Sequence, residues 1–170
     1  MHMLEIRQPK KSDSPKLFRD FISEFVREEG FLIVDKTPTL AEEKKWVKER
    51  LEGIKKGNEL LICAFENNKL AGNCDAKRGY GKERGNVEVG LAISKKYRGK
   101  GLGEKLLRKT IALVKRRFRP KNIHLRYIDG NKPAMSLYRK VGFREVFRMP
   151  KWVLYRGEYR DEHMMLLKNS

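Results

Sequence analysis

The segment from Leu91 to Phe118, LAISKKYRGKGLGEKLLRKTIALVKRRF, constrains this chain more than any other. An apolar run is followed by three alternating glycines in Arg98-Gly99-Lys100-Gly101-Leu102-Gly103, and then by a long amphipathic stretch. That pattern predicts a strand, a flexible loop and a helix, with the helix N-terminus facing the loop. Glycines there let backbone N–H groups come close to a ligand, because no Cβ intervenes. The first helical turn adds unpaired donors and about half a positive charge, which suits a phosphate. Arg98 and Lys100 add formal charge beside those amides. The segment therefore predicts an anion cradle, of a kind suited to a pyrophosphate; the bland alternative is a turn that only packs the helix.

Two common phosphate-binding folds do not fit. The GxxxxGK[ST] pattern of P-loop nucleotidases is absent. The spacing GxGxG also differs from the dinucleotide GxGxxG, since Glu104 stands where the third glycine would be. No acidic residue closes the next apolar run, NIHLRYI, and the glycine loop follows the fourth predicted strand rather than the first.

The elements around the loop define the rest. Residues 3–8 alternate weakly and predict a short strand. Ser14-Pro15 offers an N-cap and an N1 proline to a helix carrying Leu17, Phe18, Phe21, Ile22, Phe25 and Val26. Thr39-Leu40-Ala41-Glu42 is a capping-box pattern that opens a second helix with Leu40, Val47, Leu51 and Ile54 on one side. ELLICAF and LAGNCDAK, joined by ENNK, predict a hairpin; RGYGKERGN predicts a loop, and VEVGLAIS a strand. NIHLRYI predicts another strand, NKPAMSLYRKVG a short helix, and FREVFRMP and EYRDEHMMLL the last two strands, with Trp152 and Tyr155 interrupting that hairpin. The order β-α-α-β-β-β-α-β-α-β-β implies one α/β (α+β) domain over residues 1–170, in which helices interrupt a mainly antiparallel sheet of about seven strands. One β-α-β crossover surrounds the glycine loop.

Composition bounds the setting. With 170 residues, 39% hydrophobic and 36% charged, the chain can bury a real core beneath a heavily charged surface. No apolar run approaches the roughly 20 residues that cross a bilayer. The start, MHMLEIRQPKK, lacks a signal-peptide core, so an intracellular, cytoplasmic protein without a membrane partner is expected. Cys63 and Cys74 would lie out of register across the hairpin, with Cys63 nearer Gly72, and are expected as reduced, half-buried thiols. The net charge of +18 favours an anionic ligand, nucleic acid or an acidic protein. The single glutamine, Gln8, and the interleaved Lys, Arg and Glu suit a thermophile's surface equally well.

Beyond the glycine loop, three blocks carry a resemblance. Arg98–Gly103 resembles the R/Q-x-x-G-x-G/A signature of the GNAT acyltransferase superfamily. NKPAMSLYRKVGF is similar to its N-x-x-A-x-x-L-Y-x-x-x-G-F motif, at Asn131, Ala134, Leu137, Tyr138, Gly142 and Phe143, and YRGEYRDEHMMLL resembles the ending of the branch of ribosomal-protein and spermidine acetyltransferases. The resemblance covers about residues 87–167 and implies the GNAT-like sheet with helices on both faces. It implies an acetyl-CoA-dependent N-acetyltransferase in which a primary amine (a protein N-terminus, an amino-acid-like molecule or a polyamine) attacks the thioester directly. Backbone groups of Leu91, Ala92 and Ile93 would pair with the pantetheine arm, and the amides of Gly99, Lys100, Gly101, Leu102, Gly103 and Glu104 would hold the pyrophosphate beside Arg98. Asn131 would contact the cofactor, and Tyr138 would protonate the leaving thiolate. A homodimer is also implied.

The base does not carry over. Relatives that acetylate ribosomal-protein alanine use a Glu five residues before the motif asparagine; that position here is Arg126. Glu88, on the strand expected to line the cleft, is the substitute, with Asp129 and Asp161 as weaker candidates. His2, His124 and His163 are scattered, so no metal site is expected, and Ser136 has no His partner for a hydrolase triad. The basic run KRRFRPK, residues 115–121, complements the helix dipole or touches RNA or the cofactor's 3′-phosphate. The competing class is a non-catalytic acetyl-CoA or anion-binding module that docks to RNA, a ribosomal protein or the ribosome through its basic surface. A very basic protein suits a polyamine only if Glu42, Glu43, Glu88, Asp129 and Asp161 gather into an acidic pocket.

Overall fold

A computed structural model describes residues 4–167. The elements are β1 (Glu5–Arg7), α1 (Pro15–Arg27), α2 (Leu40–Lys55), β2 (Glu59–Glu66), β3 (Lys69–Arg78), β4 (Asn86–Ile93), α3 (Leu102–Phe118), β5 (Asn122–Ile128), α4 (Lys132–Val141), β6 (Phe143–Tyr155) and β7 (Glu158–Leu167). This is the predicted order. The strands form one mixed sheet, β1-β2-β3-β4-β5-β7-β6, in which only β4 and β5 run parallel. The part of the first strand predicted at Met3 lies outside the described residues.

Both predicted caps form. Ser14 accepts from Lys16 N, and Thr39 and Glu42 make the reciprocal capping box. Of the predicted apolar side of α2, Val47 is buried and Leu51 and Ile54 pack against it, but Leu40 is 54% exposed because it occupies the first helical position, clear of the sheet. The helices cover opposite faces. Phe18, Phe21 and Phe25 of α1 and Val47 of α2 pack on Leu61, Cys63, Phe65 and Ala92. Leu106, Leu107, Ile111 and Val114 of α3 and Tyr138 of α4 pack on Leu60, Ile62, Val87, Val89 and Leu125. Burial of that many large apolar side chains is the main source of stability.

Three expectations are corrected. Cys63 and Cys74 are fully buried, not half-buried, and belong to the cores on opposite faces of the sheet. A bulge between Ala64 and Phe65 sets the register, so Cys63 pairs with Asn73, not Gly72. The last hairpin is not interrupted at Trp152 and Tyr155: β6 continues through Pro150 to Tyr155, with register shifts at Glu145/Phe147 and Met149/Val153. Because β6 is the sheet edge, a residue without an N–H breaks no ladder there, and bulges absorb the irregularity.

Candidate active site

The site begins where two strands part. β4 and β5 pair only from Asn86 to Glu88 with Asn122 to His124, yet β4 continues to Ile93 and β5 to Ile128. Parallel neighbours that diverge leave backbone N–H and C=O groups without a strand partner. The gap opens into a cleft of 1110 Å³, and Leu91, Ala92 and Ile93 line it together with Tyr127 and Ile128. Side chains alternate along the strand: Leu91 and Ile93 pack toward α3, and Ala92 toward α1.

The glycine loop closes one end. Gly99 and Gly101 adopt φ of +70° and +80°, and a Cβ at either would meet nothing within 4 Å. The loop is thus left-handed and open, a combination that glycine serves. Gly101 is the N-cap of α3 and brings no side chain to bond the first-turn amides. Gly103 has a different job. A Cβ there would stand 3.2 Å from Leu137 and 3.5 Å from Ile93 and Leu91, so its bareness seats α3 against β4 and α4.

The other predicted loop residues divide. Arg98 lines the cleft, but its guanidinium is bound to Glu28 and its Nε donates to Ile93 O at 2.8 Å, which braces the loop on α1. Glu24 adds a second brace, accepting from Ser94 Oγ at 2.8 Å and Lys95 N at 2.7 Å. Lys100 is exposed and the Leu102 side chain is buried in the core, and neither residue lines the cleft. The Glu104 carboxylate accepts from Lys140 at 2.6 Å and Arg108 at 2.9 Å, and these cations hold it below the usual carboxylate range. Its charge is therefore largely offset where an anion would sit.

From the α4 side come Asn131 and Tyr138. Asn131 lines the cleft and caps α4, accepting from Ala134 N at 3.3 Å. Tyr138 is 6% exposed, packed between Tyr127 and Phe143, and also lines the cleft. Burial pushes its hydroxyl well above the ordinary tyrosine range, so it stands as a neutral donor. The same burial pushes the thiol of nearby Cys74 up to about 12.

The opposite wall is ionic. Glu88 accepts from Arg126 Nε at 2.8 Å, and Arg126 Nη1 reaches Glu162, which is 2% exposed, at 3.3 Å. Asp75, on β3 opposite Gly90, also lines the cleft; Arg50 lies 3.9 Å from it but binds Glu59 more closely, at 2.9 Å. Phe31 stacks on Tyr155 at 4.6 Å, and Arg156 Nη2 donates to Glu28 O at 3.1 Å, which ties the connection between α1 and α2 to the last hairpin over this end. Trp152, by contrast, is 62% exposed and does not line the cleft.

Asp129 and Asp161 stand outside it. Asp161 is held by Arg148 and by Lys151 N at 2.8 Å, and Asp129 lies 3.4 Å from His163. Glu42 is spent in its capping box and Glu43 is buried in α2, so of the five acids considered for an acidic pocket only Glu88 reaches the cleft. Sequence reasoning missed Asp75 and Glu162. The signal for Asp75 was a lone carboxylate in the middle of the otherwise uncharged LAGNCDA run. Among the described residues no group of three His, Cys, Asp or Glu could hold a metal ion, and no helix is long and apolar enough to cross a membrane.

Comparison with known proteins identifies the family and the fold. The model of the acetyltransferase (GNAT) family matches residues 14–143. The N-alpha-acetyltransferase of Sulfurisphaera tokodaii is 34% identical over 64 residues, which are 38% of this chain and 38% of that protein. The L-amino acid N-acetyltransferase AaaT of Escherichia coli is 28% identical over 79 residues, 46% of this chain and 49% of that one. The aligned stretches thus span less than half of either relative's length. Among solved structures, yncA of Salmonella typhimurium with its cofactor acetyl-CoA superposes with a TM-score of 0.82 at 22% identity, covering 97% of this chain and 93% of that one.

Proposed function

The chain belongs to the acetyltransferase (GNAT) family, and from that premise we propose that it transfers the acetyl group of acetyl-CoA to a primary α-amine, that of a peptide N-terminus or an amino-acid-like molecule. The observation that carries this reading is the parting of β4 from β5 directly beneath the uncapped, left-handed glycine loop at the start of α3. A long thin thioester needs both features: free backbone groups along its arm and amides at its diphosphate. Leu91, Ala92 and Ile93 would hold the arm, and the amides from Gly99 to Glu104 the diphosphate, with Lys95 and Lys140 near it and Asn131 beside the arm.

Tyr138 would donate to the departing sulfur. Its raised pKa does not disqualify it, because a thiolate released into the same dry surroundings is raised by the same cause. A carboxylate on the opposite wall, where Glu88 and Asp75 both stand, would take the proton of the incoming ammonium. The α-amine is favoured over a polyamine because three of the cleft carboxylates, Glu28, Glu88 and Glu162, are already bound by arginines, which leaves no row of free acids for a polycation. The relatives named for N-alpha and L-amino acid acetylation support the same choice.

A free-thiol release assay tests the proposal, using acetyl-CoA with amino acids, peptides of varied N-termini and polyamines, beside calorimetry of acetyl-CoA binding. Thiol release that depends on an α-amine is the expected result. Micromolar acetyl-CoA binding with turnover on no amine would reject transfer and leave a binding module, and no binding would reject the cradle as well.

A further inference from the structure

We propose that Asp75, rather than Glu88, is the group that takes the proton from the acceptor amine. This inference rests on the acetyl-transfer reading and assigns its missing base. The family-like position for a base is Arg126, and the carboxylates in the cleft are not equivalent. Glu28 is bound by Arg98, while Glu88 and Glu162 are both bound by Arg126. Asp75 alone among these four has no cation within hydrogen-bonding distance, since Arg50 is 3.9 Å away and committed to Glu59 at 2.9 Å.

Position is the second argument. Asp75 pairs across the sheet with Gly90, and a methyl group at Gly90 would stand 2.6 Å from Asp75 Oδ1. The carboxylate therefore leans over bare backbone one residue before the Leu91–Ile93 segment assigned to the thioester arm. Its neighbour Cys74 packs in the core shared with Tyr138, so Asp75 emerges on the opposite face. Base and acid flank the gap between β4 and β5 from its two sides. Attack from one face and departure toward the other need that arrangement.

The groups facing Asp75 set its titration: Arg50 from α2, Glu59 from β2 and Glu88 from β4, with the buried Cys63 thiol of β2 and Lys77 further along β3. Desolvation dominates and pushes the Asp75 carboxyl up to about 6, although its side chain is 37% exposed. That exposure is to the cleft, the path by which an amine arrives.

The chemistry balances. Asp75 removes one proton from R–NH3+ and passes it to solvent. The nitrogen lone pair forms the C–N bond to the acetyl carbon, and the C–S bond breaks with its electrons on sulfur. Tyr138 protonates that sulfur, and the second proton lost from nitrogen restores the Tyr138 hydroxyl. The products are the N-acetyl amine, free CoA thiol and one proton in solvent.

The test compares wild type, Asp75→Asn and Glu88→Gln by thiol release from pH 5.5 to 9.5, beside acetyl-CoA calorimetry. Wild-type kcat/KM should fall on the acid side through about 6. Asp75→Asn should bind acetyl-CoA as wild type does, lose about 100-fold in rate at pH 7 and recover most of it near pH 9.5, where the amine deprotonates itself. A pH-independent deficit, a loss below about threefold, or the pH-dependent deficit appearing in Glu88→Gln instead would overturn the assignment. Carboxyl carbon NMR of the free protein provides a readout without turnover. A midpoint near 6 that vanishes in Asp75→Asn is expected, and an ordinary midpoint near 4 overturns the proposal even if no acceptor is found. A wild type that turns over no amine at all rejects the acetyl-transfer reading itself.

Discussion

Substituting alanine for Gly101 separates the cradle from the fold. At φ of +80° an L side chain is strained, and a Cβ there would meet no atom within 4 Å, so the cost is backbone strain without a clash. Left-handed backbone costs a non-glycine residue about 1–2 kcal/mol. If the loop keeps its shape, that cost falls on stability and lowers Tm by up to about 8 °C for a chain of this size. If the loop relaxes, its amides turn away and acetyl-CoA affinity drops by roughly 5- to 30-fold, the same free energy expressed in binding. Gly57 supplies the control, with φ of +76°, open space around it and a place after α2 remote from the cleft. Gly57→Ala should lose stability alone. Calorimetry of acetyl-CoA with both variants, beside thermal melts, reads the partition. The cradle is refuted if Gly101→Ala weakens acetyl-CoA binding no more than Gly57→Ala does.

Three further outcomes follow from the same geometry. Tyr138→Phe should lower kcat by about 10²-fold or more while leaving acetyl-CoA affinity within a few-fold, because the role proposed for the hydroxyl is on the departing sulfur; equal turnover would remove that role. Arg126→Ala strands Glu162, 2% exposed, without its cation and should cost about 1–3 kcal/mol in denaturant melts, less than a fully buried pair because the Arg126 side chain is 36% exposed. Adding Glu162→Gln should restore most of that loss, and additive losses would show that the pair is not coupled. Asp13 is held below the usual carboxylate range by hydrogen bonds from Arg7, so its folded pKa lies under the unfolded value of about 3.9. Its contribution is present at neutral pH and is lost as pH falls below about 4 through the folded pKa. Asp13→Asn should therefore lower Tm at pH 7 and flatten its decline in that acid window.

The half of the cleft proposed for the cofactor was legible in the sequence because it is local. A strand, a glycine loop and a helix are contiguous, and the Asn131 cap and Tyr138 sit on one short helix. The acceptor half was not, because it depends on register. Asp75 matters through its place opposite Gly90, and that pairing depends on how the RGYGKERGN connection sets β3 against β4, which composition does not reveal. Glu162 looked like one charge in a mixed strand until β7 was seen to sit beside β5, within reach of Arg126. The β6 ending was misjudged for a related reason: a proline stops a central strand but not an edge strand, and edge status is a property of the assembled sheet.

The cleft also explains why a net charge of +18 does not choose the acceptor. At the glycine loop the helix dipole and Lys95 stand beside Glu104, whose charge Lys140 and Arg108 already offset, so the field there favours an anion. At the other end Arg126 and Arg50 are each bound to a carboxylate, so that wall carries little uncompensated positive charge. Exposed lysines elsewhere act on it only across distances at which salt screens them. Selection of the acceptor then falls to shape under the Phe31–Tyr155 roof and to hydrogen bonds within the Arg126–Glu88–Glu162 cluster, not to bulk charge. The least compensated carboxylate in that wall is Asp75, which is why the proposed reading brings the incoming ammonium there.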